Sequence, residues 1–415
     1  MTDYLNRRRF LHKTTALGTA AAALTLSADQ NQPAPPAGAP APLAQGQRPY
    51  RGPSVVLVRF GGGVRRLETI TDAEHTYCPF IYHELARRRG ILFNNVSIEP
   101  NPRIVTSHGQ GTLYILTGRY DRYEDITHRP FADRFEPKVP TIFEYFRRHY
   151  DIPPHQALII NGEDRIHEEF YTFSNHHQYG IRYRSTVLSL YRYKSYLLRE
   201  QIRAGGMSEA ELEARRARLR HMENLDYRVQ GMPDDAPHVV SPELNAFWRK
   251  WREHYGDSGL VNPRGDRLLT TLALWALREL KPRLLMINYQ DPDYVHWGNP
   301  HFYTRSIAII DDGLRQIHDA TQADEAYRDN TVFLIVPDCG RDSNRAMPVP
   351  FQHHFNTRSA HEVFVVAAGP GIAHPRAAVD LPRQHCSVAA TVGRIMGFPT
   401  PEVDAGAGAL QEMLA

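Results

Sequence analysis

Apolar positions along this chain fall into short β-branched runs, separated by stretches whose hydrophobic residues recur with helical period. Ser54–Phe60 (SVVLVRF) is one such run, ended by three glycines, Gly61 to Gly63. That pattern predicts a buried strand feeding a loop. Residues 81–89 have helical period and stop at Gly90, and 91–96 form a second strand candidate. Residues 141–149 read as an amphipathic helix, and Ala157–Ile160 as a strand ending at Asn161-Gly162. Residues 164–262 break the rhythm. They are rich in Tyr, Arg, His and Glu, with a charged helical stretch at 209–220, and they read as a helical insertion or cap whose Tyr and Arg side chains pack on the surface. Alternation then resumes: helix 268–280, strand Leu284–Tyr289, helix 303–320, strands Thr331–Pro337 and 362–367, and helix Ser387–Met396. Strands and helices alternating at this spacing predict an α/β fold, an α/β/α sandwich with a mostly parallel central sheet. In such sheets ligands bind at the carboxyl ends of the strands, so the loops after these strands are where chemistry is expected.

Two of those loops carry it. After LLMINY comes Gln290-Asp291-Pro292-Asp293-Tyr294-Val295-His296, and after TVFLIVP comes Asp338-Cys339-Gly340-Arg341-Asp342, with Gln352-His353-His354 downstream. Carboxylates and imidazoles at strand ends are what a divalent cation needs, and adding a thiol favours zinc or a similar transition ion over calcium or magnesium. The candidate ligands are Asp293, His296, Asp338, Cys339, His353 and His354. Cys339 also reads as a small buried hydrophobe, the usual role of a free cysteine, with its place beside Asp338 keeping the ligand role open. Asp311 and Asp312 read as solvent-facing or capping residues, and His318 as structural.

Composition narrows the classes. The chain has 415 residues, 42% hydrophobic and 23% charged, with a formal net charge of only +3, which describes a globular protein with a sizeable core. The arginines are dispersed, which excludes nucleic acid as the main partner. Three cysteines are too few for a disulfide framework. After residue 30 no apolar run reaches the roughly 18 residues of a membrane span. Arg7-Arg8 followed by Phe10-Leu11 and an Ala/Leu/Thr stretch read as a twin-arginine export signal over residues 1–28. The export machinery is then a partner, and the location is periplasmic or extracellular. Residues 29–52, rich in Pro, Ala and Gln, read as a linker, leaving 53–415 as the folded part.

Taken in order, these landmarks resemble the alkaline phosphatase/sulfatase superfamily. The resemblance lies in Asp293…His296, a following helix with Asp311-Asp312, Asp338-Cys339-Gly340, His353-His354 and Gly369-Pro370-Gly371. Thr117-Gly118-Arg119-Tyr120 looks like a sulfatase hallmark, and residues 79–94 resemble the helix and strand before it. The resemblance covers most of 53–415 outside the insertion, and is nearest to a group of exported sulfatase-like proteins. It implies a metal-dependent hydrolase of phosphate or sulfate esters. Counting back from Thr117, it places the family's nucleophile at or near His108, with Thr106 and Ser107 beside it, and Arg341 near the developing oxyanion.

The departures are as informative. Where the family has a metal-binding Asp after its first strand, this chain reads Phe60-Gly61-Gly62. The Cys-x-Pro-Ser-Arg modification motif of sulfatases is absent, Asp-His-Gly has become Asp-Cys-Gly, and the Asp…His spacing is one residue shorter. One of the family's two metal positions is thereby put in doubt, so one ion or two are expected. Three functions follow. The first is a metal-dependent ester hydrolase acting on a small substrate, with an activated water as attacker. The second is a non-catalytic cell-envelope binding or scaffold protein that keeps the fold. The third is a phosphomutase- or transferase-like activity, against which the missing nucleophile weighs.

Overall fold

The computed structural model describes residues 49–125, 135–161, 178–224, 241–261, 265–296, 299–342, 351–353, 356–375 and 377–414. The proposed signal segment, most of the proposed linker and His354 lie outside them. Among the described residues the strands are β1 (Ser54–Phe60), β2 (Gly90–Ser97), β3 (Tyr123–Asp125), β4 (Phe135–Pro137), β5 (Ala157–Ile160), β6 (Thr186–Leu188), β7 (Leu284–Tyr289), β8 (Thr331–Pro337), β9 (Glu362–Ala368) and β10 (Arg383–Gln384). The helices are α1 (His108–Thr117), α2 (Ile142–Tyr150), α3 (Leu190–Ala204), α4 (Glu209–Asn224), α5 (Pro242–Tyr255), α6 (Asp266–Leu280), α7 (Pro300–Ala323), α8 (Arg358–His361) and α9 (Ser387–Met396). Phe80–Arg88 adds a helix of wider winding.

Eight strands form one sheet in the order β10-β2-β9-β8-β1-β7-β5-β6. Every pairing is parallel except the two made by β9. A mostly parallel sheet needs cover on both faces, and the strand residues supply two cores by simple alternation. Val56, Val58 and Phe60 of β1, with Leu285, Ile287 and Tyr289 of β7, point into the core covered by α3, α5, α6, α7 and Phe80–Arg88. Val55, Leu57, Leu284, Met286, Leu334 and Val336 point into the other, covered by α1, α2 and α9. The structure is thus the expected α/β/α sandwich. Asp311 on α7 caps Phe80–Arg88, accepting from the backbone N–H groups of Phe80 (3.0 Å) and Ile81 (2.8 Å), while Asp312 is exposed and pairs with Arg315.

Within 164–262 the described residues are mainly helical, in α3, α4 and α5. Two features tie this stretch to the main body. β6 pairs with β5 at the sheet edge, and Tyr193, Tyr196, Phe247, Trp248 and Trp251 are buried in the first core. The tyrosines of α3 read as surface packing and are core residues instead. Their rings supply the apolar face, while a hydroxyl finds a carbonyl, as Tyr193 Oη does at Gly256 O (2.7 Å). At the far end of the proposed linker, Tyr50 stacks edge-on against Phe146 and Tyr150, with ring centroids 4.9 Å apart in both cases. Among the described residues no helix is long and apolar enough to cross a membrane.

Candidate metal centre

The strand alternation that builds the second core ends, at the carboxyl edge, in polar residues. Arg59 continues the Val55–Leu57 face, Asn288 the Leu284–Met286 face, Asn161 the Ala157–Ile159 face and Asp338 the Leu334–Val336 face. Register puts Arg59 opposite Asn288. The Arg59 guanidinium donates to Asn288 Oδ1 (2.6 Å) and, through Nε (3.0 Å) and Nη2 (2.7 Å), to Asp338 Oδ2. Asn288 in turn donates to Asn161 Oδ1 (3.1 Å). All four side chains are buried.

α1 lies over this edge with His108 as its first residue. The close approach depends on Gly111, because a Cβ there would stand 2.0 Å from Asp338 O. His108 Nδ1 meets Asp338 Oδ2 at 2.7 Å, and its Nε2 meets Asp293 Oδ1 at 2.6 Å. Asp293 sits in a single helical turn, Asp291–Tyr294, directly after β7. That turn is fastened by Asp266 at the start of α6, whose carboxylate accepts from the N–H groups of Gln290 and Asp291. The turn also aims His296 back, with Nε2 3.0 Å from the same Asp293 Oδ1.

His353 arrives from the strand direction that β9 reverses. Because β9 is antiparallel to β8, the segment before β9 lies at the edge where β1, β7 and β8 end. Asp342 N donates to Gln352 O (2.7 Å) and Gly340 N to Ala360 O (2.8 Å), which stitches the loop after β8 to this segment. Thr106 and His353 clasp each other: Thr106 Oγ1 donates to His353 O (2.6 Å), and His353 Nδ1 lies 3.2 Å from Thr106 O. A carbonyl only accepts, so Nδ1 carries the hydrogen and Nε2 is the nitrogen turned to Asp293 Oδ1, at 3.2 Å.

Three imidazole nitrogens therefore converge on one carboxylate oxygen. Ligand atoms of His108, Asp293 and His353 all lie within 4.8 Å of one another, as do those of His108, Asp338 and Cys339. Two of the three histidines have Nδ1 pinned by an acceptor, the outer-shell arrangement that aims Nε2 at a metal. Imidazoles with one carboxylate are a donor set able to hold a divalent cation. Asp338 is different. Its Oδ1 accepts from Gly63 N (3.2 Å) and Cys339 N (2.8 Å), and its Oδ2 from Arg59 twice and His108 once.

The charges follow from this geometry. Burial alone would push the His108 pKa down, but the carboxylates of Asp293 and Asp338 hold it well above the ordinary value. Burial would raise Asp293, and His108 with the other two imidazoles holds it well below the usual carboxylate range. Asp338 is likewise held far below by Arg59 and then His108, against burial. Burial, reinforced by Asp338, pushes the Cys339 thiol up to about 11.

Arg341 is buried and acts on backbone. It donates to Val295 O (2.6 Å), Pro292 O (2.9 Å) and Gly62 O, and stacks over Tyr303. It braces the Asp293 turn and also lines a cavity of about 370 Å³ with Arg65, Arg66, Asn94, Ser359 and Glu362. Ser107, beside His108, has a buried hydroxyl with no hydrogen-bond partner among the described residues. His318 is packed between Phe80 and Phe333. Sequence reasoning missed Arg59, the α1 start at His108 and the Thr106 clasp.

No family model matches the chain, and no curated protein is similar to it in sequence. Solved structures do match. A 2-O GAG sulfatase superposes with a TM-score of 0.51 at 13% identity, covering 87% of this chain and 74% of that one. A protein in the alkaline phosphatase superfamily from Vibrio parahaemolyticus gives 0.48 at 12% identity, over 89% and 71%. The soluble domain of lipooligosaccharide phosphoethanolamine transferase A from Neisseria meningitidis gives 0.49 at 11% identity, over 89% and 96%. The chain shares the α/β/α fold of the 2-O GAG sulfatase.

Proposed function

We propose that this protein is an exported metal-dependent hydrolase of phosphate or sulfate esters. The observation that carries the reading is the convergence of His108, His296 and His353 on Asp293 Oδ1, at the sheet edge where this class of fold binds ligands. Asp293, His108, His353 and His296 would hold the ion, which when bound supplies Lewis acidity toward the ester oxygen. The protein's own parts do the rest. The Asp291–Tyr294 turn, braced by Asp266 and Arg341, fixes the carboxylate. Thr106 and Asp338 fix two imidazoles. The N-terminus of α1, which begins at His108 and has no side-chain cap hydrogen bond from Ser107, would favour an anionic ester through the positive end of its dipole.

A second reading has one specific observation in its favour. Arg59 and a protonated His108 balance Asp293 and Asp338 without any ion, as a non-catalytic descendant of the fold would require. Metal analysis of protein purified from metal-replete cells, followed by a screen of phosphate and sulfate esters, separates the two. A stoichiometric ion and turnover that disappears in His296→Ala support the hydrolase. Metal-free protein with no turnover leaves the scaffold reading. Export is tested separately, since replacing Arg7 and Arg8 by lysine should retain the protein in the cytoplasm.

A further inference from the structure

We infer that Arg59 serves as a built-in cation in place of a second metal ion, so that the centre takes a single ion and Asp338 is a positioning residue rather than a ligand. This rests on the metal reading above. An ionised carboxylate offers about four lone-pair sites, and Asp338 already receives five donors: two N–H groups of Arg59, the backbone N–H groups of Gly63 and Cys339, and His108 Nδ1–H. An incoming cation would have to displace at least one of them. The Arg59 fork cannot swing into solvent, because Arg59 is 1% exposed and Asp338 0%, and its third arm is tied to Asn288. A second cation placed against Asp338 would also stand beside a fixed guanidinium, in a site with little water to screen the repulsion.

What remains for Asp338 is His108. As an acceptor-only carboxylate it demands the hydrogen on Nδ1, which leaves the Nε2 lone pair for the ion. Arg59 holds Asp338, Asp338 holds His108, and His108 faces Asp293. That chain reaches across three elements, β1, β8 and α1, and ends at the one carboxylate oxygen on which the other two histidines also converge.

The test uses the full chain loaded with Zn(II) or Co(II), with metal stoichiometry, calorimetric affinity and the visible Co(II) spectrum as readouts. Wild type should bind one equivalent. Asp338→Asn should still bind one equivalent with unchanged Co(II) band positions, while affinity falls by about 10–100-fold, as for loss of an outer-shell partner. Asp293→Asn should shift the bands or abolish binding. Arg59→Lys, which keeps the charge but not the fork, should reproduce a smaller affinity loss, and it carries the test if Asp338→Asn does not fold. Two equivalents in wild type would overturn the single-ion inference and leave the hydrolase reading intact. So would Co(II) bands that move in Asp338→Asn as they do in Asp293→Asn. No metal in wild type under saturating Zn(II) or Co(II) would overturn the metal reading itself, and the single-ion inference with it.

Discussion

Asp338 and Asp293 face the same histidine from opposite sides and are held in opposite ways. Asp338 is sealed, fully buried, bound to a permanent cation and to two backbone amides. Asp293 keeps about a third of its side chain exposed, and among the described residues its carboxylate is hydrogen-bonded by three imidazoles. Both carboxylates are kept ionised, but by different means. On the Asp338 side the compensating charge belongs to the fold and cannot leave. On the Asp293 side the partners are imidazoles, whose ring nitrogens are also metal-ligating groups, so a metal ion can take their place at the carboxylate oxygen. The contrast teaches that one half of the site is architecture and the other half is available to a ligand.

The largest effect should come from removing the fixed charge. Arg59→Met leaves a fully buried carboxylate short of its cation, and breaking a buried pair by deleting one partner costs about 3–5 kcal/mol. Denaturant unfolding of the metal-free protein measures it. A loss no greater than the ~1 kcal/mol of an exposed pair would mean that Asp338 does not depend on Arg59. On the other side, His353→Ala should lower metal affinity by about 100-fold or more, beyond what an outer-shell change produces. Calorimetry showing wild-type affinity would break the assignment of His353 to the ligand-binding half.

The sequence made these two halves unequally legible. The strands around Asp293 and Asp338 announce themselves as β-branched runs, and the Asp and His residues stand in the loops just after them. Asp293, His296 and His353 could therefore be named before any coordinates. Arg59 could not, because it occupies one alternating position in SVVLVRF and its partner lies 279 residues away. Nothing local distinguishes it from a strand residue facing solvent. α1 was hidden for another reason: Gly109 and Gly111 weaken helix propensity, and nine of its ten residues are buried, so no polar stripe betrays a helical period. The Tyr-rich α3 misled in the reverse direction, since tyrosine reads as surface while its ring fills a core. Residues 29–52 read as a linker, yet Tyr50 docks on α2 because an aromatic ring beside Phe146 and Tyr150 is better buried than solvated.

A smaller effect should appear in the acid stability of the sealed half. His385 packs beneath it, with Nε2 2.9 Å from Pro337 O and the whole residue buried. Burial pushes its pKa down to about 4, against hydrogen bonding to Pro337 and the Asp338 charge. The group is neutral in the fold and protonates near 6.5 in the unfolded chain. Below that value the unfolded state binds more protons, so stability falls as pH falls from about 6.5 to about 4 and is level outside that window. Between pH 7 and pH 5 the loss is about 2 kcal/mol. Urea unfolding of wild type and His385→Gln at both pH values isolates it: the variant should lose less on acidification. Equal losses in the two proteins would show that acid sensitivity arises elsewhere.

The smallest effect is expected at Cys339, which stands on the border between the halves and could belong to either. Its sulfur lies with His108 and Asp338 in a grouping that could in principle ligate an ion. Ligation requires the thiolate. Burial and the adjacent Asp338 charge favour the neutral thiol, and Asp338, the other anion of that grouping, is already saturated by its donors. The side chain also packs among Ile98, Ile104 and Tyr114 as a small hydrophobe would. Cys339→Ala should therefore leave metal stoichiometry and affinity as in wild type. The cost should be about 1 kcal/mol of stability, the scale of one small buried group lost from a packed core. A Co(II)-loaded wild-type protein should show no sulfur-to-metal charge-transfer absorption. If that absorption is present, and Cys339→Ala removes it together with the ion, the border has been drawn on the wrong side of Cys339 and the metal sits over Asp338 instead.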